Sequence, residues 1–281
     1  MPIPTRTNRT RRNQASVTSV VASRAGIPGA RRIVVKVGSS SISGANVGQI
    51  GVLVDALAVA HARGSEVILV SSGAIATGIP YLKLDARPTD LATQQAAAAV
   101  GQNVLIFRYQ ESLDRYGIVA GQVLLTAGDL ENPTHRSNAQ RAMERLLGLR
   151  ILPIVNENDT VATHEIRFGD NDRLAAMVSQ LVHADVLILL SDVDALYTRP
   201  PKEPGARKIE NVPLDDDLSG VEFGDIGAAG VGTGGAGTKV AAAKLAAASG
   251  TPVLLAETSR VADALAGADT GTWFAAADRQ V

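Results

Sequence analysis

Six lysines stand against 21 arginines in the 281-residue chain, and two of the six sit among glycines: Lys36 in VVKVGSSS and Lys239 in GVGTGGAGTK. Flexible glycines let backbone N–H groups turn toward phosphate oxygens, and a lysine beside them supplies a mobile positive charge. A lysine merely trapped in VVKV would bury an unpaired ammonium at high cost, so Lys36 reads as functional. A third polar group lies at residues 154–172, IVNENDTVATHEIRFGDND. Eight of its nineteen side chains are acids or amides: Asn156, Glu157, Asn158, Asp159, Glu165, Asp170, Asn171 and Asp172. Their spacing is not that of a calcium loop. Asp170 could cap a helix starting near Asn171, but that leaves the other acids and amides without a purpose. An amino-acid ligand would use them, with Asp159 facing an ammonium and amides serving carboxylate and backbone groups.

Other signals are weaker. Residues 230–235, GVGTGG, fit the spacing of a dinucleotide loop, with Glu257 about the right distance onward, but GDIGAAG precedes them where a strand should. The same stretch fails as a phosphate-loop NTPase motif, because Thr238 separates Gly237 from Lys239. A lysine at a helix start still favours anion binding, since free N–H groups and the helix dipole point there. Serines follow two expected strands, at Gly38–Ser41 and Ser71–Ser72, without the spaced glycines of a nucleophile elbow. His61, His135, His164 and His183 are scattered with no pair at metal spacing, and no metal-ligating set of side chains is expected.

The elements that must position these residues alternate. RIVVKV (32–37), EVILVSSG (66–73), IVAGQVLLT (118–126), ILPIVN (151–156), DVLILLSD (185–192) and TPVLLAE (251–257) read as buried strands. Helical spacing recurs over 46–63, 89–115, 134–148, 171–183 and 238–249, while 198–236, rich in Pro, Gly and Asp, reads as loops and hairpins. Strands flanked by amphipathic helices predict an α/β fold with a mainly parallel central sheet and helices on both faces. Ligands of such sheets bind at the carboxyl ends of the strands, where every unusual polar group above falls.

Composition narrows the function classes. With 46% hydrophobic residues the chain can bury a large core, and no apolar run is long enough to cross a membrane. Cysteine is absent, which removes thiolate catalysis and suits a reducing, cytoplasmic setting. The net charge of −1 is uneven: residues 1–32 hold seven arginines and no acid, and the remainder carries 20 basic against 28 acidic side chains. An acidic body predicts no nucleic-acid partner. Residues 1–31 are expected to be an Arg-rich extension without a packing pattern, and 32–281 a single domain.

The segments VVKVGSS, VSSGAIATG, VGQ (100–102), VNENDTVAT, FGDNDRLAA, LLSDVDALYT, GTGGAGTK and GTWF together resemble the amino-acid kinase family, within it the branch that phosphorylates glutamate. The resemblance covers almost all of residues 32–275; VNENDTVAT with FGDND is its most specific part, whereas KVGSS alone marks only the wider family. It implies a three-layer sandwich, ATP as phosphoryl donor, and Mg2+ bound mainly through the ATP phosphates. It implies that Lys36 and Lys239 lie at the transferring phosphoryl group with Asp172 organising them, and that Ser72, Asp159 and Asn171 hold glutamate. Lys36, Ser191, Asp192 and the run Thr233, Gly234, Gly235, Ala236, Gly237, Thr238, Lys239 would hold ATP. It further implies γ-glutamyl phosphate as product, proline as an end-product inhibitor, and a homo-oligomer. Many members continue into a C-terminal PUA domain, whereas this sequence stops at Val281, so a short form is expected.

The chemistry fits without the resemblance. Phosphoryl transfer asks for in-line positioning and neutralised oxygen charge, which two lysines, glycine amides and magnesium supply. A γ-carboxylate nucleophile with a pKa near ~4.3 is already ionised at neutral pH, so a site without histidine suffices. Competing readings are a kinase of the same fold acting on N-acetylglutamate, aspartate, carbamate or a nucleoside monophosphate, a dinucleotide oxidoreductase, and an amino-acid sensor without turnover.

Overall fold

The structure is a computed structural model that describes residues 21–162, 171–223 and 235–278. The chain runs β1 (Arg32–Val37), α1 (Gln49–Ala62), β2 (Glu66–Ser71), α2 (Ala74–Gly78), α3 (Leu91–Asp114) and β3 (Ala120–Leu125). It continues α4 (Ala127–Glu131), α5 (Pro133–Gly148), β4 (Leu152–Glu157), α6 (Asn171–Leu181) and β5 (Val186–Ser191). The short strands β6 (Leu196–Tyr197), β7 (Lys208–Ile209) and β8 (Asn211–Val212) precede α7 (Ala236–Ala248), β9 (Val253–Glu257), α8 (Val261–Leu265) and β10 (Thr272–Phe274). Eight strands form one sheet in the order β3-β4-β2-β1-β5-β9-β10-β8; β6 and β7 pair apart as an antiparallel ribbon. From β3 to β9 every pairing is parallel, and β10 runs antiparallel to β9. The α/β reading and the mainly parallel sheet hold.

Alternation along β1 decides which side of the sheet receives Lys36. Ile33, Val35 and Val37 belong to the core under α1, α3 and α8, with Leu57, Leu105 and Leu265. Val34 belongs to the opposite core with Leu174, Val178 and Ala243 of α6 and α7. Successive side chains of a strand point to opposite faces, so Lys36 follows Val34 toward α6 and α7. Because the strands are parallel, the ends of β1, β2, β4, β5 and β9 meet along one edge of the sheet. The strand order reverses at β1, with β2 on one side and β5 on the other, which opens a crevice there.

Three parts of the fold escape the sequence reading. Helix α2 is only five residues, too short to show a period, and it leans on α3 through two glycines. A Cβ on Gly78 would meet Ala97 O at 1.9 Å, and one on Gly101 would meet Ala74 O at 1.8 Å, so both positions must lack side chains. Strands β8 and β10 are two and three residues long. The third difference corrects the expected extension through residue 31. Val21, Ile27 and Ala30 are buried in the core, and a 3-10 turn spans Arg24–Gly29. Arg24 Nε donates to Thr270 O at 2.8 Å, and its guanidinium also reaches Gly271 O, Glu210 O and Asn211 Oδ1. A single turn buries isolated positions and leaves no repeating pattern to read. Residues 1–20 lie outside the described residues.

At the amino ends of the strands a polar network closes the sheet. Arg32, buried at 5% exposure, sends Nε to Glu66 Oε2 (2.8 Å) and pairs with both Glu144 oxygens at 2.6 and 2.9 Å. Asp185 accepts the backbone N–H groups of Arg31 and Arg32, each at 2.9 Å. Burial disfavours the guanidinium charge, yet the two carboxylates win and raise its pKa.

Candidate active site

Asp172, in the first turn of α6, is fully buried at the carboxyl edge of the sheet. Its Oδ1 lies 2.5 Å from Lys36 Nζ and its Oδ2 lies 2.7 Å from Lys239 Nζ. Lys36 comes from the penultimate position of β1, and Lys239 from the first turn of α7, so three elements converge on one carboxylate. Burial alone would push the Asp172 carboxyl upward; the two ammonium groups outweigh it and hold the pKa at about 2. The group therefore stays ionised at neutral pH. Two ammonium groups thus meet on one buried carboxylate at the crevice.

Asn171 precedes it on α6 and organises a second, uncharged network. Its Nδ2, with two protons to give, lies within reach of three acceptors: Ser72 Oγ (3.0 Å), Ser71 O (3.1 Å) and Asn156 Oδ1 (2.9 Å). Its Oδ1 is buried with no hydrogen-bond partner. Asn156 Nδ2 in turn donates to Gln102 Oε1 of α3 at 2.7 Å. Gly73, with φ +100, makes the turn from β2 into α2 that brings Ser72 to this point.

Pockets lie on either side of the strand ends. One of about 290 Å3 is lined by Ala74, Gln102, Asn103, Glu157, Asn158 and Asp159, between the strands β3 and β4 and the helices α2 and α3. It is short and polar, of the size of an amino acid. The other, of about 230 Å3, runs from Lys239, Gly235 and Ala236 past Ser191 and Asp192 to Tyr197, Pro200 and the exposed ring of Phe223. This one has a cationic end and an apolar end, which suits a nucleotide. Helix α7 begins there after Gly235 with no side-chain cap, leaving its first N–H groups open toward the pocket.

The structure thus brings together Lys36, Lys239 and Asp172, links Ser72 to Asn171, puts Asp159 in the polar pocket, and puts Ser191, Asp192, Gly235 and Ala236 in the elongated one. Gly237 lies in the first turn of α7, where a Cβ would sit 4.0 Å from Phe223, and Thr238 Oγ1 donates back to Gly235 O at 2.9 Å. Thr233 and Gly234, like Glu165, Asp170 and His164, lie outside the described residues. Sequence reasoning counted Asn156 among the amides of the polar cluster but gave no role to Gln102 or the Tyr197–Phe223 wall. Gln102 had two signals, its place in the quoted segment VGQ and a long polar side chain in an Ala- and Gly-rich helical segment. None of the three described histidines lines either pocket.

The model of the amino acid kinase family matches residues 31–257, a span that holds both pockets and all three members of the charged cluster. The chain belongs to the amino acid kinase family. It is 79% identical over 254 residues to a glutamate 5-kinase of Clavibacter sepedonicus, covering 90% of this chain and 98% of the relative. A glutamate 5-kinase of Leifsonia xyli subsp. xyli is 75% identical over 251 residues, with 89% and 93% covered. One from Streptomyces coelicolor is 54% identical over 255 residues, which are 89% of this chain and 68% of that protein. Among solved structures, the carbamate kinase of Giardia lamblia bound to AMP-PNP superposes with a TM-score of 0.64 at 17% identity, covering 89% of this chain and all of that one. That likeness concerns the fold, and membership removes the dinucleotide oxidoreductase reading.

Proposed function

We propose that this chain transfers the terminal phosphoryl group of ATP to the γ-carboxylate of L-glutamate, forming γ-glutamyl phosphate, the first step of proline biosynthesis. The observation that carries the reading is the pair of lysines on opposite oxygens of one buried carboxylate, set between a polar pocket and an elongated one. In the reaction a γ-carboxylate oxygen of glutamate attacks the γ-phosphorus of ATP, the bond to the β,γ-bridging oxygen breaks, and ADP leaves with that electron pair. No proton has to move, because the nucleophile is already an anion.

Each residue then has a task. Asp172 overcomes the mutual repulsion of two ammonium groups and fixes their direction; Lys36 and Lys239 neutralise charge on the equatorial and leaving oxygens as it builds. The open N-terminus of α7 faces the phosphates, and the Tyr197–Phe223 end of the pocket takes the base. Asp159 faces the α-ammonium of glutamate, while Asn171 and Ser72 serve its carboxylate and amine. Magnesium enters as part of the MgATP substrate, bound mainly through the ATP phosphates, while the two Asp172 oxygens face the lysines. Proline, with an ammonium and a carboxylate of similar spacing, competes for the same polar pocket.

The test is a substrate panel with MgATP. ADP release should depend on free L-glutamate, and hydroxylamine should trap an acyl phosphate as the hydroxamate. Equal or faster release with N-acetylglutamate, carbamate or UMP would sink the assignment.

A further inference from the structure

Thr258 follows β9 and opens a 3-10 turn, Thr258–Arg260; it is buried at 8% exposure and has no part in the roles above. Its Oγ1 lies 2.9 Å from Ser191 O and 2.9 Å from Ser41 Oγ. A hydroxyl has one proton to give, and a carbonyl oxygen can only accept. Thr258 therefore donates to Ser191 O, and the Ser41 hydroxyl donates to Thr258 Oγ1. All three residues are buried, so water does not replace either bond.

The two ends of this chain matter for the site. Ser41 belongs to the loop Gly38–Ser43 that follows β1; a Cβ placed on Gly38 would lie 3.9 Å from Lys36 Nζ, so the loop backbone runs beside that ammonium. Other bonds of the loop are local: Ile42 N and Ser43 N reach Ser39 O, Ser43 Oγ reaches Ser39 O, and Asn46 Nδ2 reaches Ser40 O. They set its shape but not its place relative to β5. Ser191, at the other end, closes β5 and opens the elongated pocket, where its Oγ accepts from Val193 N.

We infer that Thr258 is a positioning residue, whose hydroxyl joins Ser41 to Ser191 and so holds the loop beside Lys36 in register with the nucleotide pocket. The inference rests on the kinase reading, and its tests separate the two. Thr258→Val keeps the shape and removes the hydroxyl. In the full chain it should lower kcat by about 3- to 10-fold and weaken MgAMP-PNP binding by a similar factor, with the glutamate KM within about twofold of the parent. Thr258→Ser restores both. Ser41→Ala should have a comparable effect, and the double variant Thr258→Val/Ser41→Ala should be no worse than the poorer single one, because one hydrogen-bonded chain is broken in each.

The tie is overturned if the folded valine variant keeps parental kcat and nucleotide affinity, if serine fails to restore them, or if the two single effects multiply. A merely structural hydroxyl would lower the melting temperature and leave kcat and affinity alone. Should the parent show no glutamate-dependent turnover, the substrate reading falls. The AMP-PNP affinities of the same variants then decide on the tie.

Discussion

Asp172 carries opposing forces that the whole site depends on. Desolvation raises its carboxyl, two ammonium groups lower it further than that, and the folded-state value ends at about 2 against an ordinary 3.8. Because the folded value is depressed, the associated stability is fully present above the unfolded value and is lost as pH falls from about 4 through about 2. The difference corresponds to roughly 2 kcal/mol, so Asp172→Asn should flatten that part of the acid unfolding curve. The same change strands two buried cations and should cost about 3–5 kcal/mol in urea melts. Lys36→Ala and Lys239→Ala should each lower kcat by roughly 10²–10³ while moving the glutamate KM little, since they act on charge that develops in the transition state. Asp159→Asn should do the reverse, weakening glutamate use by about 2–5 kcal/mol with ATP KM unchanged; if both substrates suffer with the melting temperature, Asp159 only pins its loop. At this scale Lys36 was legible, because an ammonium in a β-branched run demands a partner. Its partner was not legible from residue types alone: three acids crowd residues 165–172, and which one is buried depends on β1 and α7 far along the chain.

Elements decide how rigidly the glutamate side is built. Helix α2 can reach the end of β2 only because Gly78 and Gly101 let its backbone rest on α3, and the contact carries Ala74 and Gln102 to the polar pocket. Gly101→Ala should force the helices apart, costing about 1–3 kcal/mol or more in stability, and should raise the KM for glutamate more than for ATP. Equal stability by thermal melting would contradict the close approach. The long strands and helices of the sheet were legible from their apolar runs and helical spacing, and their expected bounds differ from the observed ones by only a few residues. What failed were the short pieces, α2, β8 and β10, which are too brief to show any period and exist only through tertiary contact. Arg32 is a related case: a charged residue opening an apolar strand reads as exposed, yet it lies buried between Glu66 and Glu144.

For the molecule as a whole, the sheet places five strand ends on one edge, so residues separated by up to 222 positions, Lys36 and Thr258 among them, work within one crevice. The arginine-rich head enters this architecture earlier than its composition suggests. Ile27 is fully buried and Arg24 ties into the segment before β10, so a chain lacking residues 1–30 should melt well below the parent, whereas Ile27→Ala alone should cost about 2–5 kcal/mol. Unchanged melting of the truncated chain would contradict that packing. The central claim, that a glutamate carboxylate attacks the phosphorus directly, is tested most closely by oxygen labelling. With 18O in both γ-carboxylate oxygens and unlabelled MgATP, the acyl phosphate carries one label in its bridging oxygen. When its own amine then closes on the acyl carbon, the phosphate leaves with that oxygen. The account predicts one 18O in each inorganic phosphate formed, at a rate matching glutamate-dependent ADP release; phosphate without label would mean that water, and not the carboxylate, had been the acceptor.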